Sequence, residues 1–352
     1  MGGRDVRMPS RVRIVFPDTG RGLRRDAELL AEVVREAGLD PEIEAYSQHA
    51  AWSHSLIDWI DWLRHCLPRP LQRALNSLQR IVYRTFPDTS IAAIIHLQRV
   101  QSRYIAGPHE NWLIPNPEWY WPQRLPYLNM VDRVLCKTHE AESTFSQYHE
   151  QAVYIGFSGL LPDRGQNAAP RDFRRFLHVA GNNRKKGSAA VVRAWQNHPE
   201  WPVLDLVIED RARLPVIPDN VRVHEKVNDS TLAELRRECG MVIAPSEAEG
   251  FGHVLLDAMA WGQIIVTVDA PPMNELVSPS RGFLVDYASS IPCNMGRQYF
   301  VNQSALESAV TRILERNQQD LEALSTSARE WVISNDQAFR QRMRSVLNEL
   351  AR

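Results

Sequence analysis

Apolar residues in this chain fall into two kinds of run. Short continuous apolar stretches alternate with longer segments in which apolar positions recur every three or four residues. The first kind marks strands buried on both faces of a parallel sheet, and the second marks amphipathic helices lying on it. VRIVF (12–16) predicts a strand, PDTGRGL a turn, and Asp26 to Ala37 a helix. SIAAIIHL (90–97), NWLIPN (111–116) and DRVLCKT (132–138) predict further strands. The segment 158–172 is rich in Pro, Gly and polar residues, and after it the alternation restarts with RRFLHVAG (174–181) and a helix over Ser188 to Asn197. Strands follow at 204–209, 221–224, 240–245 and 263–269, with Asp229 or Ser230 capping a helix between two of them. The class expected is α/β, with two Rossmann-like doubly wound domains facing across a cleft lined by strand carboxyl ends. The expected division is an N-terminal domain over 1–160, a linker over 161–172, a second domain over 173–330, and a C-terminal helix over 331–352 packing back on the first domain.

Composition narrows the function. A chain of 352 residues suits two domains of moderate size, each able to bury its own core. The 41 Lys and Arg nearly cancel the 42 Asp and Glu, which argues against bulk nucleic-acid binding. No apolar run approaches the roughly 20 residues that span a bilayer. The opening MGGRDVRMPS lacks the apolar segment of a signal peptide, and Val6 stands where a myristoylation motif wants Ser or Thr. A cytoplasmic location is expected. The four cysteines, Cys66, Cys136, Cys239 and Cys293, form no CxxC and read as free thiols. His-Glu pairs never extend to HExxH, and D-x-D, G-x-S-x-G and a Walker loop are absent, so neither a metal nor a cofactor is expected.

The densest chemistry lies in PSEAEGFGHVLLDAMAWG (245–262). A strand ends at Pro245, a glycine-containing loop turns, and a helix begins at His253. Gly250 and Gly252 flank Phe251 and let the backbone approach a ligand, and the first free N–H groups of the helix form an anion site. Glu249 is placed to accept hydrogen bonds from hydroxyls, and His253 and Asp257 share one helix face. A sugar nucleotide offers hydroxyls and a diphosphate together. The other reading makes Glu249 and Asp257 helix-start and surface carboxylates.

The run PSEAEGFGHVLLDAMAWGQIIVTVDAPPMNELV resembles the donor-site signature of family-4 retaining glycosyltransferases of the GT-B fold, the glycosyl transferases group 1. The resemblance implies that Glu249 contacts the donor sugar and that Gly250, Phe251, Gly252 and His253 line the donor. Asp257 stands where the family's second Glu holds the ribose, one methylene shorter, and Glu275 lies near the nucleotide. HVAGNNRKKG (178–187) resembles the family's basic segment, in which Lys186 would neutralise the donor diphosphate. Asn182 occupies the family's Arg position, so Arg184 would have to reach in from elsewhere. Glu249 and Lys186 are the catalytic candidates. The nucleotide-diphosphate sugar would be a co-substrate, and the acceptor a glycan or lipid-linked glycan.

The N-terminal half is less specific. Gly22, in the turn after the first strand, takes the place of a glycine loop beneath the donor phosphates in related enzymes. Glu118 would orient an acceptor hydroxyl or cap the next turn, and Trp112, Trp119, Tyr120 and Trp121 would stack on sugars or fill a core. From Trp62 to Pro87 there is no acidic residue, while Arg64, Arg69, Arg73, Arg80 and Arg84 are present. On a helix there, Leu71, Leu75, Leu78 and Val82 make one stripe, opposite Arg73, Arg80 and Arg84. That pattern reads as a solvated basic face over a core stripe, or as a dock for an anionic membrane at its inner face. Two further readings of the whole chain stay open: a GT-B epimerase or phosphorylase, and a non-catalytic sugar-nucleotide binding protein.

Overall fold

The computed structural model describes residues 10–46, 63, 66–82, 90–101, 104–105, 109–159, 161–162 and 171–351. The chain divides into two compact units. Unit one comprises Met1–Phe157, Asn294–Gly296 and Gln337–Arg352, and unit two comprises Ser158–Cys293 and Arg297–Asp336.

Unit one contains β1 (Arg11–Pro17), α1 (Arg21–Glu36), β2 (Asp40–Tyr46), α2 (Arg69–Val82), β3 (Ile91–Leu97), β4 (Glu110–Ile114), β5 (Arg133–Cys136), α3 (His139–Phe145) and β6 (Ala152–Tyr154). Its sheet has the order β2-β1-β3-β4-β5-β6, and every pairing is parallel. The central strand β3, IAAIIHL, is buried at every position, as its unbroken apolar run requires. The edge strand β2, DPEIEAY, has the polar residues and the Pro that an edge tolerates. Tyr120 packs edge-on against Phe145, with ring centroids 5.2 Å apart, in a core that includes Leu113 and Val134. Just past β5, the buried Lys137 pairs with the buried Asp26 of α1, and its amine lies 4.5 Å from the Phe157 ring centroid. Thr138 caps α3 by accepting from Ala141 N at 3.1 Å.

Unit two contains β7 (Asp172–Gly181), α4 (Ser188–Asn197), β8 (Leu204–Ile208), β9 (Val221–Glu225), α5 (Asp229–Glu238), β10 (Cys239–Ala244), α6 (His253–Ala260), β11 (Ile264–Val268), α7 (Met273–Leu276), β12 (Gly282–Val285), the hairpin β13 (Tyr287–Cys293) and β14 (Gly296–Val301), α8 (Gln303–Glu315) and α9 (Gln318–Asn348). The main sheet, again parallel throughout, has the order β12-β11-β10-β7-β8-β9. Chain order therefore reverses between β7 and β10. In doubly wound sheets such a reversal opens a crevice at the strand carboxyl ends, and ligands bind there. The core sets Phe176, Trp195 and Trp201 edge to face at centroid distances of 5.4 and 5.0 Å. Burying a side chain of this size contributes about 1.5–3 kcal/mol.

Arg171, immediately before β7, holds unit two's helix ends. Its guanidinium donates to the carbonyls of Arg236, Arg237 and Cys239 at the end of α5, and to that of Trp261 at the end of α6. One buried cation thus satisfies carbonyls that two helix ends leave without intrahelical partners and meets the negative poles of both dipoles.

Several elements differ from their sequence-based expectation. Asn228, rather than Asp229 or Ser230, caps α5, its Oδ1 accepting from Thr231 N at 2.9 Å. The C-terminal helix starts at Gln318, not 331, and its last turns lie in unit one, where Phe339 meets Phe157 and Arg340 pairs with Glu32 and Glu36. The core stripe expected on α2 is not a core: Leu71, Leu75 and Leu78 are 53, 39 and 57 % exposed. Arg64, Arg84 and most of the segments flanking that helix lie outside the described residues, as do 163–170 of the expected linker. Of the aromatic set, Trp112 and Tyr120 are buried, while Trp119 and Trp121 are exposed.

Candidate donor site at the switch point of unit two

The loops that follow β7 and β10 carry the residues singled out in the sequence, and the fold presses those loops together. Glu247 N donates to Lys185 O at 2.8 Å. Gly187 adopts φ +71°, and a Cβ there would lie 2.3 Å from Pro245 O. Only glycine fits both the left-handed backbone and the contact, which accounts for the Gly after Lys186.

Where these loops meet, Lys186 Nζ pairs with Glu249 Oε1. The side chains are 13 and 9 % exposed, so each charge depends on the other for most of its compensation. The two residues are 63 positions apart in sequence. Glu249 is followed by Gly250, the buried Phe251, and Gly252, which caps α6 at φ +107°. His253 opens that helix, with its ring edge-on to Phe251 at 5.6 Å. The Lys186–Glu249 pair therefore stands directly before a helix N-terminus, where free N–H groups favour an anion.

His178 ties the same place from beneath. It is buried on β7, with Nδ1 2.6 Å from Ile243 O on β10 and Nε2 2.8 Å from Ser188 Oγ, the first residue of α4. A carbonyl only accepts, so Nδ1 carries the proton and Nε2 accepts from the Ser188 hydroxyl. Burial pushes the imidazole pKa down to about 4, with the nearby Lys186 charge acting in the same direction. The ring stays neutral and fixes β7, β10 and the start of α4 to one another.

The remaining candidates lie at varying distances from this centre. Asp257, a turn into α6 and buried, is held by Arg236 Nη2 of α5 at 2.9 Å. Glu275 sits on the short α7, where its carbonyl and that of Leu276 accept from Arg281. Arg184 is exposed on its loop. Asn182 receives a different guanidinium: Arg213 Nη1 donates to its O and Oδ1 at 3.0 and 2.9 Å. Sequence reading missed Arg213, because nothing local ties it to a loop 31 residues away. Gly22 and Glu118 belong to unit one. Gly22 is the second residue of α1 and has open space where a Cβ would stand. Glu118 is buried in a 3-10 turn, Pro117–Trp119, and its carbonyl accepts from Asn294 Nδ2 at 2.7 Å. Just before it, Asn116 at the end of β4 is buried and donates through Nδ2 to Gln98 Oε1 at 2.8 Å. Its own Oδ1 is buried without a hydrogen-bond partner, and Gln98 has φ 72°, a conformation that a residue other than glycine rarely holds without cause. Among the described residues, no three His, Cys, Asp or Glu side chains are grouped to hold a metal ion.

Comparison with known proteins agrees with this architecture. The chain is similar in fold to a glycosyltransferase from Rickettsia africae ESF-5, at TM-score 0.64 and 12 % identity over 97 % of this chain and 98 % of that one. It is likewise similar to sucrose-phosphate synthase from Thermosynechococcus elongatus, at TM-score 0.66 and 17 % identity over 97 % and 99 %. A third similar structure is Anabaena Alr3699/HepE in complex with UDP and glucose, at TM-score 0.62 and 14 % identity over 95 % and 99 %. No match was found among curated proteins. The fold is GT-B, and residues 162–291, which carry both loops of the Lys186–Glu249 pair, match the family of glycosyl transferases group 1.

Proposed function

We propose that this protein is a retaining glycosyltransferase that moves a sugar from a nucleotide-diphosphate sugar to a glycan or lipid-linked glycan acceptor, without a metal or cofactor. The observation that carries the proposal is the Lys186–Glu249 pair, largely shielded from solvent at the switch point ahead of the α6 N-terminus. A cation beside a helix start suits a diphosphate, and the carboxylate next to it suits sugar hydroxyls. Structures of the similar Anabaena protein hold UDP with glucose and UDP-glucose, which supports the same ligand class here.

In this reading Lys186 and the N–H groups at Gly252 and His253 stabilise the charge that grows on the diphosphate as its bond to the anomeric carbon breaks. Glu249 holds donor hydroxyls. Asp257 and Glu275 lie on the nucleotide side, and Arg184 is a further donor contact. The acceptor oxygen bonds to the anomeric carbon on the face the diphosphate leaves, and the acceptor proton passes to a diphosphate oxygen. Configuration is thereby kept without a protein nucleophile. Incubation with a panel of nucleotide sugars and glycan acceptors tests the proposal: nucleoside diphosphate should be released and EDTA should change the rate less than twofold. Binding without release across the panel would point to a non-catalytic binding protein instead.

Gly22 and Glu118 belong to the proposed acceptor and phosphate side. For Gly22→Ala the open space and helical position predict unchanged or slightly raised stability, by about 0.5–1 kcal/mol. A ligand passing over this turn would meet the new methyl, so turnover should fall several-fold while the melting temperature holds. Unchanged turnover would remove Gly22 from the site.

Helix α2 is the proposed contact with an anionic membrane surface. Its leucine stripe is exposed, Arg69 and Arg73 are exposed with it, and no acidic residue occurs from 62 to 87. Among the described residues no helix is long and apolar enough to cross a membrane. Replacing Arg73, Arg80 and Arg84 by Gln should abolish most co-sedimentation with phosphatidylserine-containing vesicles at low salt. Wild-type protein that ignores such vesicles would contradict the contact.

A further inference from the structure

The hairpin β13–β14 forms a two-stranded sheet of its own. A lone two-stranded hairpin is marginal in water, so what it is bonded to matters. Its bonds to the rest of unit two converge on the donor loops. Gln298 Nε2 donates to Glu247 Oε2 at 2.6 Å, Tyr299 N donates to Glu247 O at 2.7 Å, and Lys185 Nζ lies 2.9 Å from Cys293 Sγ. Glu247 also donates its own N–H to Lys185 O. Its amide, carbonyl and carboxylate thus join three segments: the loop of Lys186, the loop of Glu249 and the hairpin. Glu247 stands two residues before Glu249, and Lys185 is the neighbour of Lys186.

We infer that Glu247 and Gln298 are positioning residues for the Lys186–Glu249 pair, with the hairpin serving as a brace that sets the spacing of the two donor loops. The inference rests on the donor-site reading above. Fixed groups lose less on binding than groups that must be ordered at that moment, and a displacement of about 1 Å at a site can cost on the order of a hundredfold in rate. Charge at Glu247 is directed at the hairpin amide rather than toward a ligand, which separates its role from that of Glu249.

Calorimetric titration tests the brace, using whichever of UDP, GDP, ADP and dTDP the wild-type chain binds most tightly. Gln298→Ala and Glu247→Ala should each weaken that affinity about fivefold, and the double variant should be no weaker than either single one. In a Lys186→Ala background, Gln298→Ala should have no further effect, because the brace acts through Lys186. Ser289→Ala, an exposed change on the same hairpin, should match wild type. Melting curves establish that each variant is folded at the titration temperature. Additive losses, or full affinity in Gln298→Ala while Lys186→Ala is impaired, would overturn the brace and leave the donor site standing. If Lys186→Ala itself binds as wild type does, or no diphosphate binds, the donor-site reading fails and the brace with it.

Discussion

Glu249→Gln is expected to lower sugar transfer by about 10²–10³-fold while nucleoside diphosphate affinity stays equal to wild type or rises. The two halves of this result have different causes. Glu249 is assigned to the sugar, and hydrogen bonds from hydroxyls to a carboxylate strengthen as positive charge develops at the anomeric centre. A neutral amide forfeits that gain but keeps the shape. Lys186 is paired with the Glu249 carboxylate, so an arriving diphosphate competes with an ion pair. Removing the negative charge removes the competitor and leaves a largely shielded ammonium whose best available partner is the diphosphate. Initial rates with saturating donor, set beside titration of the bare diphosphate, check both halves. Equal rates in mutant and wild type would remove Glu249 from the site.

Lys186→Ala should show the opposite signature. Charge-assisted hydrogen bonds between an ammonium and phosphate oxygens contribute roughly 1.5–3 kcal/mol, so diphosphate affinity should fall about ten- to a hundredfold. The variant also leaves the Glu249 carboxylate buried without its cation, next to the proposed diphosphate site, which pushes the loss toward the upper end. Calorimetry that finds unchanged affinity would reject the role. Together the substitutions separate a group proposed to hold the leaving diphosphate from one proposed to hold the sugar, although the two touch each other.

How much of this was legible in the sequence depends on the physics behind each signal. Strands such as β3 and β10 announce themselves because both faces are covered and the apolar run is unbroken. The edge strand β2 and the hairpin β13–β14 do not, since half-exposed strands with polar residues and a proline resemble loops. The α2 stripe misled for a related reason: periodicity shows that a helix has an apolar face and says nothing about what covers it. The donor loops were found through a local motif that sets Glu249 before a helix start. That Lys186 belongs to the same site is implied only by resemblance, and its ion pair with Glu249 is not implied at all, because contact across 63 residues has no periodic signature. The Arg171 clamp, the His178 tie and the meeting of Arg213 with Asn182 are likewise products of topology. Each joins strand or helix ends that lie far apart along the chain.

The central claim is sugar transfer with retention, and the configuration of the product tests it most directly. Proton NMR of the first-formed product from an α-linked nucleotide sugar, recorded before mutarotation can scramble any free sugar, reads the anomeric coupling constant. The proposed retaining transfer predicts an α-configured product with release of the nucleoside diphosphate, whereas a β-configured product would contradict it.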